Sequence, residues 1–110
     1  MASKRRILIV DDNKELCKNF SDVLELKGYE VIVAHDGYRA IEVIRNDKVN
    51  VVLMDIKMPG MSGIKTLNIL REIAPNLNVI LITAFADDII YKEGLKNVDL
   101  KIIQKPIDID

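Results

Sequence analysis

Val51-Val52-Leu53-Met54-Asp55, continuing into Ile56-Lys57-Met58-Pro59-Gly60, is the stretch that decides the fold. Four apolar residues end in a carboxylate, and turn residues follow at once. A short apolar run bounded by turn signals reads as a strand buried on both faces, the middle of a parallel sheet. In open α/β sheets, ligands gather outside the carboxyl ends of the strands, so Asp55 would be presented to a site. Taken alone, the segment equally supports an Asp55 that only starts the turn continued by Pro59 and Gly60.

The flanking sequence repeats the pattern. Arg5 to Val10 is a first strand, continuously apolar over Ile7-Leu8-Ile9-Val10, and it stops at Asp11-Asp12-Asn13. From Asn13 to Lys27 the apolar residues Leu16, Phe20, Val23 and Leu24 recur at helical spacing, with Asp12 and Glu15 as a capping box and Gly28 as the stop. Tyr29 to Ala34 is a second strand, and Asp36-Gly37 opens a helix carrying Ala40, Ile41, Val43 and Ile44. Beyond Asp55, Ser62 caps a helix over Gly63 to Ile73. Asn78 to Ile82 is a fourth strand that delivers Thr83, Asp87 to Leu95 a weaker helix, and Lys101 to Gln104 a fifth strand that delivers Lys105 ahead of Pro106, a bond that can be cis. Strands alternating with helices predict an α/β fold: a doubly wound, five-stranded parallel sheet of flavodoxin-like order 2-1-3-4-5. A last helix after the fifth strand is apparently missing.

Composition narrows the function. A chain of 110 residues, 49% apolar and 30% charged, is sized for one domain with one core. Its formal net charge of −1 supplies no electrostatic footprint for nucleic acid or an anionic membrane. One cysteine allows no internal disulfide and no secretory leader is recognisable, so the cytoplasm is the expected compartment. Cys17, beside Leu16 in a helical pattern, reads as an inert packing residue. His35, next to a helix cap and without a partnered nucleophile, reads as a solvated loop residue.

The strand ends are the chemically loaded positions: Asp11 and Asp12, Asp55, Thr83, Lys105. In the order 2-1-3-4-5, the first, third, fourth and fifth strands are neighbours, so three acids, a hydroxyl and an ammonium meet at one edge. Carboxylates about 4 Å apart repel by ~4 kcal/mol at an effective dielectric near 20, so a cation must hold them. Clustered hard oxygens without histidine or cysteine suit Mg²⁺. With that ion, Asp55 can act as a carboxylate nucleophile toward a phosphoryl donor, while Lys105 neutralises one phosphoryl oxygen and Thr83 donates to another.

With the acidic pair in Ile9-Val10-Asp11-Asp12, the segment Asp55-Ile56-Lys57-Met58-Pro59-Gly60-Met61-Ser62-Gly63, Thr83-Ala84 and Lys105-Pro106, the whole chain resembles the CheY-like receiver domains of two-component and phosphorelay response regulators. The resemblance implies that Asp55 takes a phosphoryl group from a histidine kinase or phosphotransfer protein. It implies that Asp12, Asp55 and the main-chain carbonyl of Lys57 ligate Mg²⁺, with Asp11 acting mainly through metal-bound water. It also implies that Thr83 and Lys105 sense the phosphoryl group and shift the fourth helix and fifth strand, a population shift that controls an output domain, a target protein or a relay step. Such a domain is not a conventional turnover enzyme; it promotes its own phosphorylation and slow dephosphorylation.

Some positions depart from the family pattern. Ile102 stands where many relatives carry a switch aromatic, and Ile107 replaces the aromatic after the Lys-Pro pair. Lys57 and Phe85 flank the site and are expected to hinder an attacking water and lengthen the life of the phosphoryl group. The chain is expected to be a receiver domain over residues 1–110, truncated after the fifth strand, either a piece of a longer regulator or a form that self-associates through the face a last helix would cover. A haloacid-type phosphatase would need a second acid where Lys57 stands. A flavodoxin-like phosphate binder would need a cradle where Asp11-Asp12 repels anions, and no such glycine-rich sequence is present.

Overall fold

The computed structural model describes residues 5–56, 58, 60–83 and 101–104. The elements run β1 (Arg6–Val10), α1 (Lys14–Leu26), β2 (Glu30–Ala34), α2 (Gly37–Asn46), β3 (Val51–Asp55), α3 (Gly63–Ile73), β4 (Asn78–Thr83) and β5 (Lys101–Gln104). All strand pairings are parallel, in the order β2-β1-β3-β4-β5, as expected from the sequence. The helix expected over 87–95, Lys57, Phe85, Lys105 with its bond to Pro106, and Ile107 lie outside the described residues.

Strand alternation divides the core between the two faces of the sheet. Leu8 and Val10 of β1, Val52 and Met54 of β3, and Val79 and Leu81 of β4 join Ala40 and Val43 of α2 and Leu67 and Leu70 of α3 in one cluster. Ile7 and Ile9 point the other way, onto Cys17 and Phe20 of α1, with Ile82 in the same cluster. Both faces of β1 are therefore dry, which explains why its sequence is continuously apolar and does not alternate.

Local signals fix the helix ends. Ser62 and Asp36 cap α3 and α2, accepting from the backbone N–H of Lys65 and Arg39. At the end of α1, Gly28 takes φ +97°, its N–H reaching the Glu25 carbonyl while the Tyr29 N–H reaches that of Leu24. This double closure suits a residue without Cβ. The start of α1 differs from expectation. Asn13, not Asp12, is the N-cap, its side chain accepting from the Leu16 N–H at 3.0 Å. The Asp11 N–H still bonds to the Ala34 carbonyl at 3.1 Å, so the chain leaves the sheet one residue later than the capping box requires. The shift relieves Asp12 of capping.

Candidate functional site

Register brings the acids together. Residues Ile7 to Val10 of β1 lie level with Val51 to Met54 of β3, so Asp11 continues level with Asp55 on the neighbouring strand. Parity matches as well: the alternation through Ile7 and Ile9, and through Val51 and Leu53, carries both acids toward the same face. Each is buried, Asp11 at 2% and Asp55 at 9% exposure. Asp12 is exposed, and one carboxylate oxygen from each of Asp11, Asp12 and Asp55 lies within 4.8 Å of the others. Asp55 thus belongs to a cluster and does more than start a turn.

Asp11 and Asp55 are each held by a local device. For Asp11, Oδ1 accepts the Asn13 N–H at 2.9 Å, while its carbonyl meets His35 Nδ1 at 3.0 Å and accepts the Cys17 thiol at 3.4 Å. Past Asp55, the buried side chains of Ile56, Met58 and Met61 anchor the loop. The Gly63 N–H then donates to the Ile56 carbonyl at 2.7 Å. A Cβ at Gly63 would lie 2.5 Å from the Asp55 carbonyl oxygen and 2.5 Å from Ile56 Cα, so the first turn of α3 sits directly on the backbone of the acid.

Three carboxylates at this separation repel by about 3.5 kcal/mol per pair at an effective dielectric near 20, less where water reaches them. Their donor set is oxygen only and partly open to solvent at Asp12, which suits a hard divalent ion that keeps part of its water shell. The residues present fit Mg²⁺.

Of the residues expected at the site, the structure brings Asp11, Asp12 and Asp55 together and ends β4 at Thr83. Asp55 pairs with Ile82 and Thr83 with Gln104, so the backbone of Thr83 is one step beyond Asp55 and Lys105 is the next residue in sequence after Gln104. Lys57 and Lys105 are outside the described residues. Two contributors differ from or exceed expectation. His35 is half-buried against Asp11 and not a solvated loop residue. Cys17 packs as expected, at 1% exposure, and also reaches the Asp11 carbonyl.

The family model for the response regulator receiver domain matches residues 7–110. The chain belongs to this family. The receiver domain is 33% identical over 105 residues to sporulation initiation phosphotransferase F of Bacillus subtilis, covering 96% of this chain and 85% of that protein. It is 38% identical over 91 residues to the transcriptional regulatory protein CpxR of Escherichia coli, covering 83% of this chain but only 38% of the regulator. Among solved structures, response regulator protein TrrA from Thermotoga maritima in complex with Mg²⁺-BeF superposes with a TM-score of 0.82 at 29% identity, covering 96% of this chain and 90% of that one. The chain is therefore a phosphoacceptor signalling module and not a classical enzyme. None of the helices among its described residues is long and apolar enough to cross a membrane.

Proposed function

We propose that Asp55 is the phosphoacceptor of this receiver domain, charged by a histidine kinase or phosphotransfer protein in the cytoplasm and read out by an output domain, a target protein or the next member of a relay. The observation that carries this assignment is the meeting of Asp11, Asp12 and Asp55 within 4.8 Å at the carboxyl edge of a parallel sheet. Asp11, Asp12, Asp55 and the main-chain carbonyl of Lys57 would hold Mg²⁺. When bound, the ion supplies positive charge that offsets the acids and the phosphoryl oxygens.

One carboxylate oxygen of Asp55 attacks phosphorus in line. A P–O bond forms as the donor's P–N bond breaks, the electron pair stays on the imidazole nitrogen, and that nitrogen takes a proton from solvent. Burial of Asp55 in a fixed strand end orients the attacking oxygen without a reorganisation cost at the moment of reaction. Lys105 neutralises a second phosphoryl oxygen and the Thr83 hydroxyl donates to a third. The same groups serve the slow return reaction, in which water attacks phosphorus and releases phosphate, so the domain promotes its own phosphorylation and dephosphorylation.

Incubation with Mg²⁺ and acetyl phosphate, followed by intact mass, tests the assignment. The expected result is a gain of one phosphoryl group that disappears in Asp55→Asn and without Mg²⁺. A gain that survives the substitution, or no gain in the wild type, overturns it.

A further inference from the structure

We propose that His35 is a positioning residue for the acidic cluster: it donates from Nδ1 to the Asp11 carbonyl and so sets the plane of the peptide joining Asp11 to Asp12. The inference rests on the cluster being a Mg²⁺ site. A carbonyl oxygen can only accept, so at 3.0 Å the proton between the two groups belongs to Nδ1.

Both main-chain groups of Asp11 are gripped by consecutive residues of one strand end. The Asp11 N–H donates to the carbonyl of Ala34 at 3.1 Å, and the next residue, His35, returns a donor to the Asp11 carbonyl. That carbonyl also accepts the Cys17 thiol at 3.4 Å, a weak donor. Rotation of this peptide would turn the Cα–Cβ direction of Asp12 and displace the Asp11 carboxylate from the Asn13 N–H that holds it at 2.9 Å. His35 therefore acts on two members of the cluster through the main chain of one of them. Its position follows from topology: β2 lies beside β1, so the first residue after Ala34 stands next to the residue after Val10.

The test is a calorimetric Mg²⁺ titration of the full chain as wild type, His35→Leu and His35→Asn. Leucine places a methyl group where Nδ1 stood. Asparagine places an amide nitrogen at the same number of bonds from Cα and restores the donor. The expected result is Mg²⁺ binding weakened roughly five-fold in His35→Leu, the worth of about one hydrogen bond, and returned to within about two-fold of wild type in His35→Asn. Equal affinity in all three proteins, or equal loss in both variants, overturns the role. Should His35→Leu not fold, the two-bond ¹H–¹⁵N spectrum of the wild-type ring at pH 8.5 decides: a proton on Nδ1 is expected, and a ring protonated on Nε2 alone refutes the bond. A wild type that binds no Mg²⁺ at all instead removes the metal site itself, and the positioning role falls with it.

Discussion

Replacing Asp12 with asparagine should stabilise the metal-free domain and remove most of the stabilisation that Mg²⁺ confers. Asp12 faces both Asp11 and Asp55 with oxygens no more than 4.8 Å away. Each pair repels by about 3.5 kcal/mol at an effective dielectric near 20, and by about 0.9 kcal/mol in bulk water. Asp12 is exposed, so the screened end of that range applies, and two pairs give roughly 1–2 kcal/mol of relief. The substitution loses no helix cap, because Asn13 holds that position. For a domain of this size, 1 kcal/mol moves the melting midpoint by about 4–8 °C. The assay is thermal unfolding followed by circular dichroism at low ionic strength, once with EDTA and once with Mg²⁺. In EDTA the variant should melt above the wild type. With Mg²⁺ the order should reverse, since an ion bound only by the folded wild type adds stability by mass action. A variant that melts below the wild type in EDTA, or one that gains as much from Mg²⁺ as the wild type does, would refute the electrostatic account of the cluster.

Gly63→Ala should lower stability by about 1–3 kcal/mol and reduce phosphorylation by acetyl phosphate, because its Cβ meets backbone atoms of Asp55 and Ile56 at 2.5 Å and backbone cannot rotate aside. Denaturant melts and intact mass measure the two effects, and an unchanged midpoint would contradict the close approach. Asn13→Ala should lose about 1 kcal/mol of α1 stability through the missing bond to Leu16 N–H, while its own N–H continues to hold Asp11. Chemical denaturation of Asn13→Ala beside Asp12→Ala checks this: only the former should show a cap loss.

Much of the architecture was legible because the strands announce themselves. Val51 to Met54 and Ile7 to Val10 are apolar on both faces, and that pattern at this length has few homes other than the interior of a parallel sheet. Alternation with helices then implied a parallel sheet, and the flavodoxin-like order 2-1-3-4-5 implied the meeting of Asp11, Asp12 and Asp55. The N-cap of α1 was less legible. Asp11-Asp12-Asn13 offers three consecutive residues able to cap, and the choice is made by one extra ladder bond from Asp11 to Ala34, a tertiary contact that no local pattern encodes. His35 reads in sequence as a solvated loop residue for a related reason. Its partner is a main-chain carbonyl, so no second side chain marks the pair; only the neighbouring of β2 and β1 could have suggested it. Gly63 reads in sequence as a helix's first residue, whereas its lack of a side chain is demanded by the backbone of Ile56 beneath it.

The level pairing of β1 with β3 has a consequence in time as well as in space. Asp11 and Asp55 lie far apart along the chain and become neighbours only when two parallel strands have paired across an intervening helix, strand and helix. Contacts between distant segments form late, since loop closure must precede any reward from pairing. A nascent or partly unfolded chain carries the same acids but not their constellation, and it offers a cation no more than scattered carboxylates. The acidic constellation therefore arises together with the pairing of β1 and β3.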